Sequence, residues 1–122
     1  MDQPKKTLVL GASDNPSRYS YLAVNRLTEK GHHVTAIGKR NGKIGNVAIE
    51  TNQKDISNLD TVTLYLNPLN QKQYYDYIFS LHPRRIIFNP GAENEELSLL
   101  AKEKGVLAQE ACTLVLLSTG QY

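Results

Sequence analysis

Cysteine is nearly missing from the chain, membrane-length apolar runs are missing altogether, and neither sign of charge dominates. Cys112 is the one cysteine among 122 residues, which excludes an intrachain disulfide framework. No hydrophobic run approaches the roughly 20 residues of a membrane-spanning helix. The opening MDQPKK lacks the apolar segment of a signal peptide, so a cytoplasmic protein with no membrane partner is expected. Lys and Arg number 14 against 12 Asp and Glu, a formal charge of +2. Nucleic-acid binders cluster their cations on one face. Here they scatter, apart from Lys5-Lys6, Lys39-Arg40 and Arg84-Arg85, and nucleic acid is not an expected partner.

The hydrophobic fraction of 40% and charged fraction of 21% match an ordinary globular domain. The length fits one domain over residues 1–122, with residues 1–6 expected as a flexible lead. A separate substrate domain has no room, which weighs against a complete two-substrate dehydrogenase.

Strand and helix patterns alternate down the chain. Thr7 to Gly11 reads as a buried strand, and Tyr21, Val24 and Leu27 give the next segment helical spacing over 19–30, ended by Gly31. His33 to Ile37 reads as a second strand, and the glycine-spaced GKRNGKIGNVAIETNQKDI that follows reads as loop. Thr61 to Leu66 and Arg85 to Phe88 are the next strands, with a helix over 71–81 between them. Asn94 to Lys104 has acids in its first turn, lysines in its last and Gly105 after it, as the helix dipole and C-cap favour. Val106 to Ala108 is a fifth strand. The tail from Cys112 fits a helix or a strand. Such alternation predicts an α/β, Rossmann-like three-layer sandwich with a five-stranded parallel sheet in order 3-2-1-4-5.

In such sheets ligands bind beyond the carboxyl ends of the strands. That rule puts His32-His33, His82 and Arg84-Arg85 at the structural end, and no metal site is expected from the three histidines. It puts GASDNPSR, GKRNGK, NPLN and NPGAEN at the functional end. The first turn keeps Gly11 but has Ser13 and Pro16 where a dinucleotide fingerprint has its other glycines. Ser13, Ser17, Asn15 and Arg18, with the helix N-terminus, offer donors for a phosphate. The plainer alternative is that Asp14, Asn15 and Ser17 only cap the helix. After the second strand, where a ribose-binding acid usually stands, the chain has Gly38-Lys39-Arg40. Cations there disfavour NAD and favour a ribose that carries a phosphate, as in coenzyme A or NADP; a solvated charge run is the other reading.

GASDNPSRYSYLAVNRL, the basic loop, FNPGAENEEL and the late cysteine together resemble the stand-alone CoA-binding domain proteins. These are small bacterial Rossmann-like proteins, similar to the CoA-binding domain of succinyl-CoA synthetase α subunits. The resemblance spans Thr7 to Cys112 and implies CoA as cofactor. It implies phosphate and ribose contacts near Gly11, Ser13, Asn15, Pro16 and Arg18, and Lys39 at the basic loop. Asn67, Pro68 and Leu69 would follow the adenine or pantetheine path, with Gly91 in the fourth-strand turn. Two positions depart from many members, which carry proline where this chain has Gly38 and Thr113.

No Ser–His–Asp set, carboxylate pair or metal cluster emerges, so no catalytic residue is expected and the protein is read as a non-enzymatic CoA or acyl-CoA binder, a sensor or accessory. Cys112 is a candidate for thiol exchange, against the plainer reading of a small buried residue. The alternatives are an NADP-binding reductase-like protein and an interaction module without ligand. The expected partner is a small-molecule nucleotide; nothing identifies a protein partner.

Overall fold

A computed structural model describes residues 3–122. Its elements run β1 (Thr7–Leu10), α1 (Tyr19–Glu29), β2 (Val34–Ile37), β3 (Gly42–Ile44), β4 (Val47–Glu50) and β5 (Thr61–Leu64). After these come α2 (Pro68–Gln71), a 3-10 turn over 72–74, α3 (Tyr75–Ser80), β6 (Arg85–Phe88), α4 (Glu95–Glu103), β7 (Leu107–Glu110) and α5 (Thr113–Ser118).

The α/β three-layer architecture is as expected, but the sheet has seven strands, in order β3-β4-β2-β1-β5-β6-β7. The expected order placed Thr61 to Leu66 third, beyond the second strand; instead β5 pairs with β1. The third place belongs to β4, which pairs in parallel with β2. Counting only parallel strands, the order is 3-2-1-4-5-6, the doubly wound arrangement. The segment read as a loop holds the two missing strands. After β2 the chain passes the β4 position, forms the antiparallel edge strand β3, and returns through the two-residue Gly45-Asn46 turn. Gly45 has φ +58, the positive value such hairpin turns need at their first position. This hairpin replaces the helix that usually joins parallel neighbours.

Alternation along the central strands feeds two cores. Leu8 and Leu10 join Val62, Leu64, Ile86 and Phe88 on one face, under Tyr77 and Ile78 of α3 and Leu97 and Ala101 of α4. Val9, Ala36, Ile44 and Ile49 face the other way, under Val24 and Leu27 of α1 and Leu117 of α5. β1 is buried along its whole length, as a strand covered on both faces must be.

The helix expected over 71–81 begins earlier, because Asn67 caps it. Its side-chain oxygen accepts from the Asn70 amide at 2.9 Å, and Pro68 takes the first helical position. α4 matches its expectation, with the Asn94 side chain accepting from the Leu97 amide. The ambiguous tail is a helix. Its Thr113 amide donates to Asn89 Oδ1 at 2.9 Å and its hydroxyl meets that of Thr63 at 2.8 Å, bonds a proline there would forfeit.

The expected flexible lead is only partly described. Residues 1 and 2 lie outside the described residues, while Lys5 and Lys6 are held: the Lys5 amide donates to His32 Nδ1, and the Lys6 carbonyl accepts from Asp60 and Thr61.

Candidate functional site

An open cleft of about 540 Å³ lies at the carboxyl ends of the central strands, where the strand order reverses. Three chain segments wall it. The first is the turn after β1, with Gly11, Ala12, Ser13 and Asp14, continuing through Arg18 to Tyr19 and Ser20 at the start of α1. The second is Lys39-Arg40 after β2. The third joins Tyr65, Leu66, Asn67 and Asn70 beyond β5 to Pro90, Gly91 and Ala92 beyond β6.

Gly11 opens the first turn with φ +90, and a Cβ there would lie 2.8 Å from the Tyr65 carbonyl oxygen. Only glycine fits so close to the neighbouring strand. The next residues fold on themselves. Asn15 Oδ1 accepts from the Ser17 amide at 3.0 Å and the Ser17 hydroxyl at 2.8 Å, and the Arg18 amide closes a turn onto the Asn15 carbonyl with Pro16 in between. Asn15 and Pro16 are therefore turn builders that do not line the cleft. The helix-capping reading of Asp14, Asn15 and Ser17 is also corrected: Arg18 occupies the N-cap position of α1, and no side chain caps that end. The first-turn amides at Tyr19 and Ser20 have no partner inside their helix. Tyr19 and Ser20 line the cleft, with the helix dipole behind them.

Arg18, Lys39 and Arg40 are exposed. Their charged groups make no hydrogen bond or ion pair among the described residues, where the one salt bridge joins Lys54 to Glu50. Asp14 is the one carboxylate of the lining. Excess positive charge beside an uncapped helix start gives this end of the cleft a positive potential.

Gly38 precedes these cations without lining the cleft. A Cβ at Gly38 would collide with the Ala12 carbonyl oxygen, so the strand-two loop rests directly on the first turn. Backbone bonds tighten that contact, since Gly11 and Ala12 both donate to the Ile37 carbonyl and Gly38 donates to Glu50.

The third wall has its own turn chemistry. In Asn89-Pro90-Gly91-Ala92 the Ala92 amide donates to the Asn89 carbonyl, with Pro90 at the first corner and Gly91 at φ +92 at the second. Asn67 lines the cleft; Pro68 and Leu69 do not, because they start α2, where Leu69 points to solvent at 75% exposure. The Tyr65 hydroxyl is buried close to Thr63 and Thr113 without a well-formed hydrogen bond to either, and burial pushes its pKa up.

Cys112 also lies outside the lining. It is half-buried at the N-cap position of the six-residue α5. The histidines fall at the opposite end of the sheet, and no group of three metal-ligating side chains occurs among the described residues. No helix there is long and apolar enough to cross a membrane.

Sequence reasoning thus found Gly11, Ser13, Arg18, Lys39, Asn67 and Gly91 of the cleft lining. It named Asn70 and Ala92 only as members of the NPLN and NPGAEN segments and missed Tyr65 and Leu66 as lining residues altogether; none of the four carries a charge or fingerprint to mark it. Their position one to six residues beyond a strand end was the available signal.

No curated protein matches the chain. Among solved structures, a protein of uncharacterized function is 46% identical, covering 99% of this chain and 100% of its own, with TM-score 0.96. A hypothetical protein from Pyrococcus horikoshii is 22% identical with TM-score 0.81, covering 93% of this chain and 81% of its own. A protein from Thermus thermophilus is 18% identical with TM-score 0.84, covering 98% and 91%. The last two are similar in fold alone. The profile of the CoA binding domain family matches residues 5–118, and the chain belongs to that family.

Proposed function

We propose that the cleft binds coenzyme A or an acyl-CoA through its phosphates, without catalysing a reaction on it. The observation that carries this reading is the set of three unpaired cations, Arg18, Lys39 and Arg40, around the uncapped start of α1. The pyrophosphate would sit on the first-turn amides beside Ser13 and Arg18, where helix dipole and guanidinium act together. Lys39 and Arg40 would meet the ribose phosphate that distinguishes CoA from its dephosphorylated form. Hydroxyls, amides and cations dominate the lining, which suits holding an anion more than moving a proton. A sensor or accessory role follows from binding without turnover.

The test is a calorimetric panel of CoA, dephospho-CoA, NADP and NAD. CoA should bind most tightly and dephospho-CoA about tenfold less so, the loss of one charge-assisted contact. Equal affinities would remove the ribose-phosphate contact. Preference for NADP would favour a reductase-like protein, and silence from every ligand over a cooperative melt would point to an interaction module.

A further inference from the structure

One fully buried amide ties together the two loops of the third wall. Gln71 is 0% exposed, and both hydrogens of its Nε2 are engaged: one donates to the Leu66 carbonyl and the other to the Ala92 carbonyl, each at 2.8 Å. Leu66 and Ala92 line the cleft from different strands. The Gln71 oxygen accepts from Asn94 Nδ2 at 2.8 Å. Asn94 uses its second hydrogen on the Tyr75 hydroxyl, which in turn donates to Glu96 at 3.0 Å. Every polar atom of Gln71 points one way, because two carbonyls require its nitrogen and Asn94 requires its oxygen. A fully satisfied buried network of this kind rigidifies what it joins.

The cations stand on the other two walls. A ligand that sets its phosphates against Arg18, Lys39 and Arg40 sends its uncharged remainder toward Leu66 and Ala92. We infer that Gln71 is a positioning residue that sets the width of a slot between the β5 and β6 loops for the uncharged pantetheine arm of the ligand. The inference rests on the CoA reading given above. Gln71 acts through the Leu66 and Ala92 backbones and need not touch the ligand.

The experiment compares CoA with adenosine 3′,5′-bisphosphate, which keeps the adenosine and two of the three phosphates but lacks the arm and the phosphate that carries it. Both are titrated into the full chain and into its Gln71→Leu and Asn94→Asp variants. Gln71→Leu should weaken CoA about tenfold and the bisphosphate less than about twofold, since only the slot is disturbed. Asn94→Asp keeps the acceptor that caps α4 but removes the donor to Gln71. It should weaken CoA about threefold on the same count, with the bisphosphate again spared. A thermal melt reports folding; if Gln71→Leu does not fold, the ratio of the two affinities in Asn94→Asp decides.

Equal weakening of both ligands, or no change in either, overturns the inference while leaving the CoA reading in place. So does a native chain that binds the two ligands equally well, because the arm then contributes nothing. A native chain that binds neither ligand overturns the CoA reading and the inference with it.

Discussion

The two ends of the sheet treat arginine in opposite ways. At the amino-terminal end Arg85 is 8% exposed, with its Nε and Nη2 donating to the Thr61 hydroxyl at 3.1 and 3.0 Å. Its guanidinium lies 4.5 Å from the centre of the Tyr122 ring, whose hydroxyl meets that of Thr7 at 2.6 Å. At the carboxyl end Arg18 is exposed with no partner for its guanidinium among the described residues. A cation that serves the fold has its donors occupied and its ring face covered. A cation left open, as Arg18 is, carries a cost to stability near zero because water solvates it.

Substitutions at three positions break or sharpen this contrast. The largest effect is expected from Arg85→Ala, which opens a cavity, strands Thr61 and removes the cation–π contact. It should cost about 3 kcal/mol by denaturant titration and leave CoA affinity within twofold. Arg85→Lys should recover less than half of that, since an ammonium lacks the fork that meets Thr61. Next is Arg18→Ala, with the reverse signature: CoA affinity falls about tenfold, and stability stays within about 0.5 kcal/mol. Unchanged CoA affinity would refute the phosphate role of the first turn.

The smallest effect belongs to Tyr122→Phe. It keeps the ring over Arg85 but loses the bond to Thr7, a change of about 1 kcal/mol in the melt. The same variant carries a pH signature. Burial raises the Tyr122 pKa above the ordinary tyrosine value, so the folded state holds a proton that the unfolded state releases above about pH 10. That stability is fully present below pH 10 and is lost as pH rises further. Tyr122→Phe should therefore flatten the alkaline decline in stability, leaving the shares from Tyr65, Tyr75 and Tyr77, which burial also raises. An unaltered slope would mean that Tyr122 is not held as described.

Much of this contrast was legible in the residues before any coordinates. Leu8 to Leu10 and Ile86 to Phe88 are uninterrupted apolar runs, and the end rule then sorted Arg84-Arg85 from Lys39-Arg40. The acids of its first turn and Gly105 after it marked α4 at both ends, because charge placement and C-caps are local chemistry. The β3–β4 hairpin was hidden for a physical reason. Its strands are three and four residues long and half exposed, and Gly42, Lys43 and Gly45 erase the alternation that would mark them. Missing it misassigned the third strand, since β4 alone tells how far the first half of the sheet extends. Turn builders and phosphate donors are the same residue types, so the sequence alone did not show that Asn15 and Pro16 build the first turn and stay out of the cleft lining. Gln71 left no trace, as a lone glutamine gains its meaning only from the two carbonyls that the fold brings to it.

Gly38 has a consequence for selectivity. With no side chain, it lets the strand-two loop seat on the Ala12 carbonyl, and the Ile37 carbonyl ties the same turn from its other side. Arg18 and the Lys39-Arg40 pair thus stem from one backbone assembly whose spacing is set before any ligand arrives. If the cleft holds CoA as proposed, that backbone spacing would make it respond to the separation between anionic groups as well as to their total charge. Two ligands of equal charge would then be told apart by the span between their phosphates, and inorganic phosphate, with no span, should compete poorly with CoA in a titration.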